Sequence, residues 1–157
     1  MRAGHHSTNG GQQCVIIFSL TMDERKTKQL GKSIPPDTGI VLVDHGSKLE
    51  AANLMLEEVA KSFAEAMGGA IVEPAHMELA EPTIAQAFEA CIERGARRIV
   101  VQPYFLSPGR HSRVDIPRIT AEAAARFEGI AYVVGEPLGV DANMNAIILR
   151  RILEAMD

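Results

Sequence analysis

Downstream of Pro35-Pro36-Asp37 the chain alternates short, solidly apolar runs with longer stretches in which apolar residues recur every three or four positions. Gly39 to Val43 is such a run, β-branched and without a polar break, as a strand buried on both faces requires. From about Leu49 to Met67 the period becomes helical: Ala52, Met55, Leu56, Val59, Ala60 and Phe63 form one stripe, closed by Gly68-Gly69. Ala70 to Met77 predicts a second strand. Pro82 then opens a helix where a missing N–H does no harm, with Ile84, Phe88 and Cys91 on its inner face and Glu81 placed as its cap. Arg98 to Phe105 predicts a third strand, and the helix after it carries Ile116, Ile119, Ala123 and Phe127 before Gly129 ends it. Ile130 to Val134 is the fourth strand. Ala142 to Met156 is a last amphipathic helix, expected to bury Met144, Ile147, Ile148 and Ile152.

Strand and helix in alternation, four times over, predict right-handed crossovers and one three-layer α/β domain, a four-stranded parallel sheet covered on both faces. The domain is expected over residues 38–157. Residues 1–37 are expected to be a disordered extension, or sequence upstream of a later start at Met22. The first 22 residues hold no Asp or Glu and only Arg2, but lack the amphipathic, Arg-rich pattern of a transit peptide. His5 and His6, among Gly, Ser and Asn, are read as chemically idle.

A length of 157 residues with 46% hydrophobic positions fits one globular domain. The net charge of -4 excludes a uniformly basic surface, so neither nucleic acid nor an anionic membrane is an expected partner. An acidic ligand would need local cations. The apolar run Cys14 to Leu20 is far shorter than the ~20 residues of a membrane span. Cys14 and Cys91 make no CxxC pair and too few thiolates for an iron–sulfur cluster; Cys91 reads as a core residue. A reducing compartment is expected, the cytoplasm, or the plastid stroma in a plant or alga.

In open parallel sheets ligands bind beyond the carboxyl ends of the strands, and the unusual residues fall there. Asp44-His45-Gly46-Ser47 follows the first strand, with Gly46 permitting a tight turn and Ser47 free to cap the next helix. Ser107 to Pro117 follows the third and holds Arg110, His111, Arg113 and Asp115, the last expected as a helix cap. Neutral imidazole ligates Fe, Co, Ni and Zn, and it also accepts protons, so His45 and His111 suit either task. Two histidines plus carboxylates fall short of a closed zinc site and fit an ion in transit. In Glu73 to Pro82, strand alternation puts His76 and Glu78 on one face; Glu78 is the acid–base candidate and His76 a packing histidine or a functional one.

Val43-Asp44-His45-Gly46-Ser47, Val72 to Pro82 (VEPAHMELAEP) and Pro108 to Pro117 (PGRHSRVDIP) together resemble the short sirohydrochlorin chelatases. This is the CbiX-type family of cobalt and iron chelatases, near the plant-type siroheme ferrochelatase branch. The likeness spans roughly residues 39–155, with motifs in the family's order. It implies a class II chelatase fold in half-size form, usually a homodimer, whereas longer relatives fuse two such units. It further implies His45 and His111 as the metal-binding and proton-accepting pair, with Glu78 as the motif's acid. The plant-type branch often carries a cysteine-containing tail with an iron–sulfur cluster; this chain ends at Asp157 without one, and no cluster is expected.

The implied reaction is insertion of Co²⁺ or Fe²⁺, a substrate ion rather than a resident cofactor, into sirohydrochlorin for cobalamin or siroheme biosynthesis. The macrocycle's rim carboxylates need cations, for which Lys48, Arg110 and Arg113, with Arg118, are the candidates. Two other readings compete: a phosphohistidine carrier using His45, and a module that binds metal or tetrapyrrole without turnover.

Overall fold

The computed structural model describes residues 34–157. The readings made for residues 1–33, including His5, His6, Cys14 and Met22, lie outside the described residues. Nine elements follow in order: β1 (Thr38–Asp44), α1 (Glu50–Ala66), β2 (Ile71–His76), α2 (Ile84–Glu93), β3 (Arg98–Pro103), a π-helical turn (His111–Asp115) running into α3 (Ile116–Ala124), β4 (Ala131–Val134) and α4 (Ala142–Glu154). The four strands form one parallel sheet in the order β2-β1-β3-β4. The α/β class and the alternation therefore stand as expected.

The β-branched runs occupy the middle of the sheet because a parallel strand covered on both faces has no use for polar alternation. Val41, Val43, Ile99 and Val101 pack under α2 and α3 with Ile84, Phe88, Cys91 and Ile116. Ile40, Leu42 and Val72 meet Leu56 and Ala60 of α1 on the opposite face. Full burial of Phe88 or Ile84 is worth about 1.5–3 kcal/mol each. Gly39 lets α2 come close, since a Cβ there would lie 2.8 Å from the Cβ and Sγ of Cys91.

Three capping expectations are corrected. Pro82 precedes α2 rather than opening it, and Thr83, not Glu81, is the cap: its hydroxyl accepts from the Gln86 N–H while the Gln86 side chain accepts from the Thr83 N–H. Asp115 makes no cap bond to α3. Ser47 accepts from the Leu49 N–H just before α1 and leaves the helix itself without a side-chain cap.

Val72, Ile40, Val100 and Val133 lie in register in one row across the sheet, on the face that α1 covers. Val72 and Ile40 are buried, Val100 is half-buried and Val133 is 56% exposed. Among the described residues, cover on this face runs out from β2 to β4, so the expected two-sided burial does not reach β4. No residue of α4 is buried, and Ile147, Ile148 and Ile152 are all exposed. The amphipathic period was real, but its apolar stripe has no partner within the described residues.

Candidate active site at the strand ends

From β1 the first crossover runs outward to β2 and the next returns across the sheet to β3, so the topological switch point lies between β1 and β3. His45 is the first residue after β1, and His111 opens the turn that follows β3. Their ring centroids are 5.1 Å apart with planes at 73°.

The β1 exit is tied to the β2 exit by main-chain bonds. The Met77 N–H donates to the Asp44 carbonyl at 2.9 Å, and the Glu78 N–H donates to the His45 carbonyl at 3.1 Å. Gly46 has φ +82°, and a Cβ on it would stand 1.9 Å from the Glu78 carbonyl oxygen, so both its conformation and its neighbour require glycine. Leu79 takes φ +69°, uncommon for a bulky residue, and turns the chain away directly after Glu78. These contacts bring the Glu78 carboxylate to His45, with Oε1 2.9 Å from Nε2.

Hydrogen-bond partners fix which nitrogens are free. Nδ1 of His111 lies 2.9 Å from Oδ2 of Asp115, and an ionised carboxylate only accepts, so Nδ1 donates and the Nε2 lone pair is left for a ligand. A carboxylate behind a histidine is the usual support of a metal-binding imidazole. Nδ1 of His45 lies 3.2 Å from the Gly46 carbonyl, a weaker contact in which it also donates. Its Nε2 lone pair then faces Glu78. Two acceptors 2.9 Å apart require a proton or a cation between them.

Among the described residues no three His, Cys, Asp or Glu side chains converge into a ready-made coordination sphere. His45, His111 and Glu78 are partly open to solvent, with side-chain exposures of 40%, 47% and 52%. An open site with two imidazoles and one carboxylate can hold an ion loosely and accept protons from whatever the ion enters. Lys48, in the bend before α1, and Arg113, in the π-helical turn, are exposed at this end of the sheet and pair with no acid among the described residues. Arg110 is 83% exposed and approaches Asp115 only at 3.8 Å. Arg118 is engaged with Glu122 at 2.7 Å on the surface of α3. A separate groove of about 510 Å³ is lined by Glu81, Thr83, Gln86, Glu89, Arg126 and neighbours, and by none of the histidines.

His76 does not share a face with Glu78. β2 ends at His76, which is fully buried, whereas Glu78 is exposed in the bend beyond, where the two-residue period no longer applies. Two roles escaped the sequence reading. Asp44 accepts from His76 and Gly46, and Asp115 orients His111; the i,i+4 spacing of His111 and Asp115 was the available signal. Cys91 is a core thiol, as expected, and burial pushes it up to about 12, with the Glu73 charge adding and Arg94 opposing.

The described residues thus form one four-stranded parallel α/β unit with two histidines meeting at its switch point. The crystal structure of the sirohydrochlorin chelatase SirB from Bacillus subtilis subspecies spizizenii in complex with cobalt superposes with a TM-score of 0.65 at 32% identity, covering 74% of this chain and 50% of that one. The CbiX family profile matches residues 39–155, and the chain belongs to that family. A chloroplastic sirohydrochlorin ferrochelatase of Arabidopsis thaliana is 58% identical over 101 residues, 64% of this chain and 45% of that protein. A sirohydrochlorin cobaltochelatase of Methanococcus maripaludis is 32% identical over 137 residues, 71% of this chain and 95% of that protein. The chain spans about half the length of the Arabidopsis, Priestia megaterium and Bacillus subtilis ferrochelatases it matches.

Proposed function

We propose that the chain inserts Co²⁺ or Fe²⁺ into sirohydrochlorin, acting as a sirohydrochlorin cobaltochelatase or ferrochelatase in cobalamin or siroheme biosynthesis. The observation that carries this reading is the meeting of His45, His111 and Glu78 at the switch point: imidazole on imidazole at 5.1 Å and imidazole on carboxylate at 2.9 Å. Relatives with both metals in their names support it, as does the cobalt complex of the structural neighbour.

In this reading the ion is substrate. The free Nε2 of His111 and the His45–Glu78 pair receive it, and the proton between His45 and Glu78 leaves as it arrives. A free-base macrocycle must then give up its two inner N–H protons, and the same bases, relieved of the ion, take them. Lys48, Arg110 and Arg113 meet the rim carboxylates of the macrocycle, as local cations on an acidic chain. A phosphohistidine at His45 is disfavoured, because its Nε2 faces the Glu78 carboxylate, which would repel a phosphoryl group.

Residues 38–157 form the working unit, and two copies associate. The Val133 end of the sheet and the exposed apolar residues of α4, which have no partner among the described residues, support a homodimer, since contiguous exposed apolar surface commonly marks an interface. No helix among the described residues is long and apolar enough to cross a membrane. The place of action that goes with this reading is the cytoplasm, or the plastid stroma in a plant or alga. Anaerobic absorbance spectra of purified protein with sirohydrochlorin and each of Co²⁺, Fe²⁺ and Ni²⁺ test the proposal. Acceleration over the spontaneous reaction with Co²⁺ or Fe²⁺ is expected; no acceleration with any ion would leave only a binding module.

A further inference from the structure

Directly beneath the site lies a polar pair that the reaction does not use. His76 is fully buried at the end of β2, and its Nδ1 lies 2.6 Å from Oδ1 of Asp44, its in-register neighbour at the end of β1. The same oxygen accepts the Gly46 N–H at 2.9 Å. Nε2 of His76 is buried without a partner among the described residues. Burying an imidazole with one nitrogen unpaired is unfavourable, and an apolar ring would fill the same space without that cost.

Position accounts for its presence. Asp44 immediately precedes His45, and His76 stands two residues before Glu78. Gly46 rests against His76, so that a Cβ on it would lie 3.1 Å from the His76 Cβ. One carboxylate oxygen thus receives a donor from the residue after His45 and another from the strand that delivers Glu78.

We propose that Asp44 and His76 are positioning residues that clamp the β1 and β2 exits together and hold His45 Nε2 and Glu78 Oε1 in a single geometry. The clamp rests on the reading of His45 and Glu78 as metal ligands. It acts through Oδ1 as an acceptor, so a residue that keeps that acceptor keeps the function. Asp44→Asn retains it, Asp44→Ala removes it, and His76→Phe removes the buried donor while filling its volume.

The test is titration of each purified protein with Co²⁺ alone, followed by its visible absorption bands, beside thermal unfolding. Expected is a loss of Co²⁺ affinity of about 10–100-fold in Asp44→Ala and His76→Phe, the range typical of groups that orient a ligand, with near-wild-type affinity in Asp44→Asn. Wild-type affinity in Asp44→Ala or His76→Phe would overturn the clamp. So would losses that merely follow a drop in the folded fraction at the assay temperature. A wild type that binds no Co²⁺ would instead defeat the ligand reading. The His45 imidazole ¹⁵N signals then decide the clamp alone: a change in Asp44→Ala that Asp44→Asn does not show supports it, and unchanged signals in Asp44→Ala contradict it.

Discussion

Nε2 of His45 stands 2.9 Å from Oε1 of Glu78, with Nδ1 of the same ring turned toward the Gly46 carbonyl. That arrangement leaves room for one proton or one cation between the two side chains. A divalent ion entering the site should displace the proton. Calorimetric Co²⁺ titrations in buffers of different ionisation enthalpy should therefore give different apparent heats. Glu78→Gln, whose amide can donate to Nε2 and occupy its lone pair, should bind Co²⁺ at least about tenfold more weakly. Buffer-independent heats and an unaffected Glu78→Gln would contradict this view of the pair.

Asp115 was expected to cap a helix and instead holds Nδ1 of His111 at 2.9 Å. Asp115→Ala should free the ring to rotate and cost about 10–100-fold in metal affinity, with insertion slowed in step. Because no cap is lost, thermal stability should stay close to wild type. A large fall in Tm with unchanged metal affinity would return Asp115 to a structural role.

Gly46→Ala places a Cβ against the Glu78 carbonyl at a positive φ. The β2 exit must move to admit it. Stability should fall by about 1–3 kcal/mol, and metal binding should weaken because Glu78 leaves His45. Chemical denaturation and Co²⁺ titration of the same preparation measure both.

Cys91 is raised by burial, so its neutral form is favoured in the folded state. Its contribution to stability is complete below the ordinary thiol pKa of about 8.5 and declines above it, because only the unfolded chain readily loses the proton. Stability followed by denaturation from pH 8 to about 11 should therefore fall more steeply for the wild type than for Cys91→Ala. At neutral pH thiol reagents should modify Cys91 only as fast as the protein unfolds. Rapid labelling at Cys91, located by peptide mapping or in a Cys14→Ser background, would contradict its burial.

Much of the fold was written in the periodicities. β1 lies within one residue of the solid run from Gly39 to Val43, and α1 fills the stripe from Ala52 to Phe63, because burial on a sheet leaves little choice of residue. The strand-end rule likewise brought His45 and His111 to one place, and the structure sets their rings 5.1 Å apart. What escaped were matters of partnership. The stripe of α4 says that an apolar surface exists but not that the described residues leave it exposed. The π-helical turn carries Asp115 back to His111 before a helix cap can form, and that turn has no plain signature in Gly109 to Asp115. Asp44 and His76 sit 32 positions apart, so only the strand register reveals them as neighbours.

The most direct measurement is anaerobic metal insertion into sirohydrochlorin by the His45→Ala/His111→Ala double variant, beside the wild type and with circular dichroism to verify folding. The wild type should accelerate insertion of Co²⁺ or Fe²⁺, while the folded double variant should show no rate above the spontaneous reaction. Full activity in that variant would contradict the assignment of the two histidines.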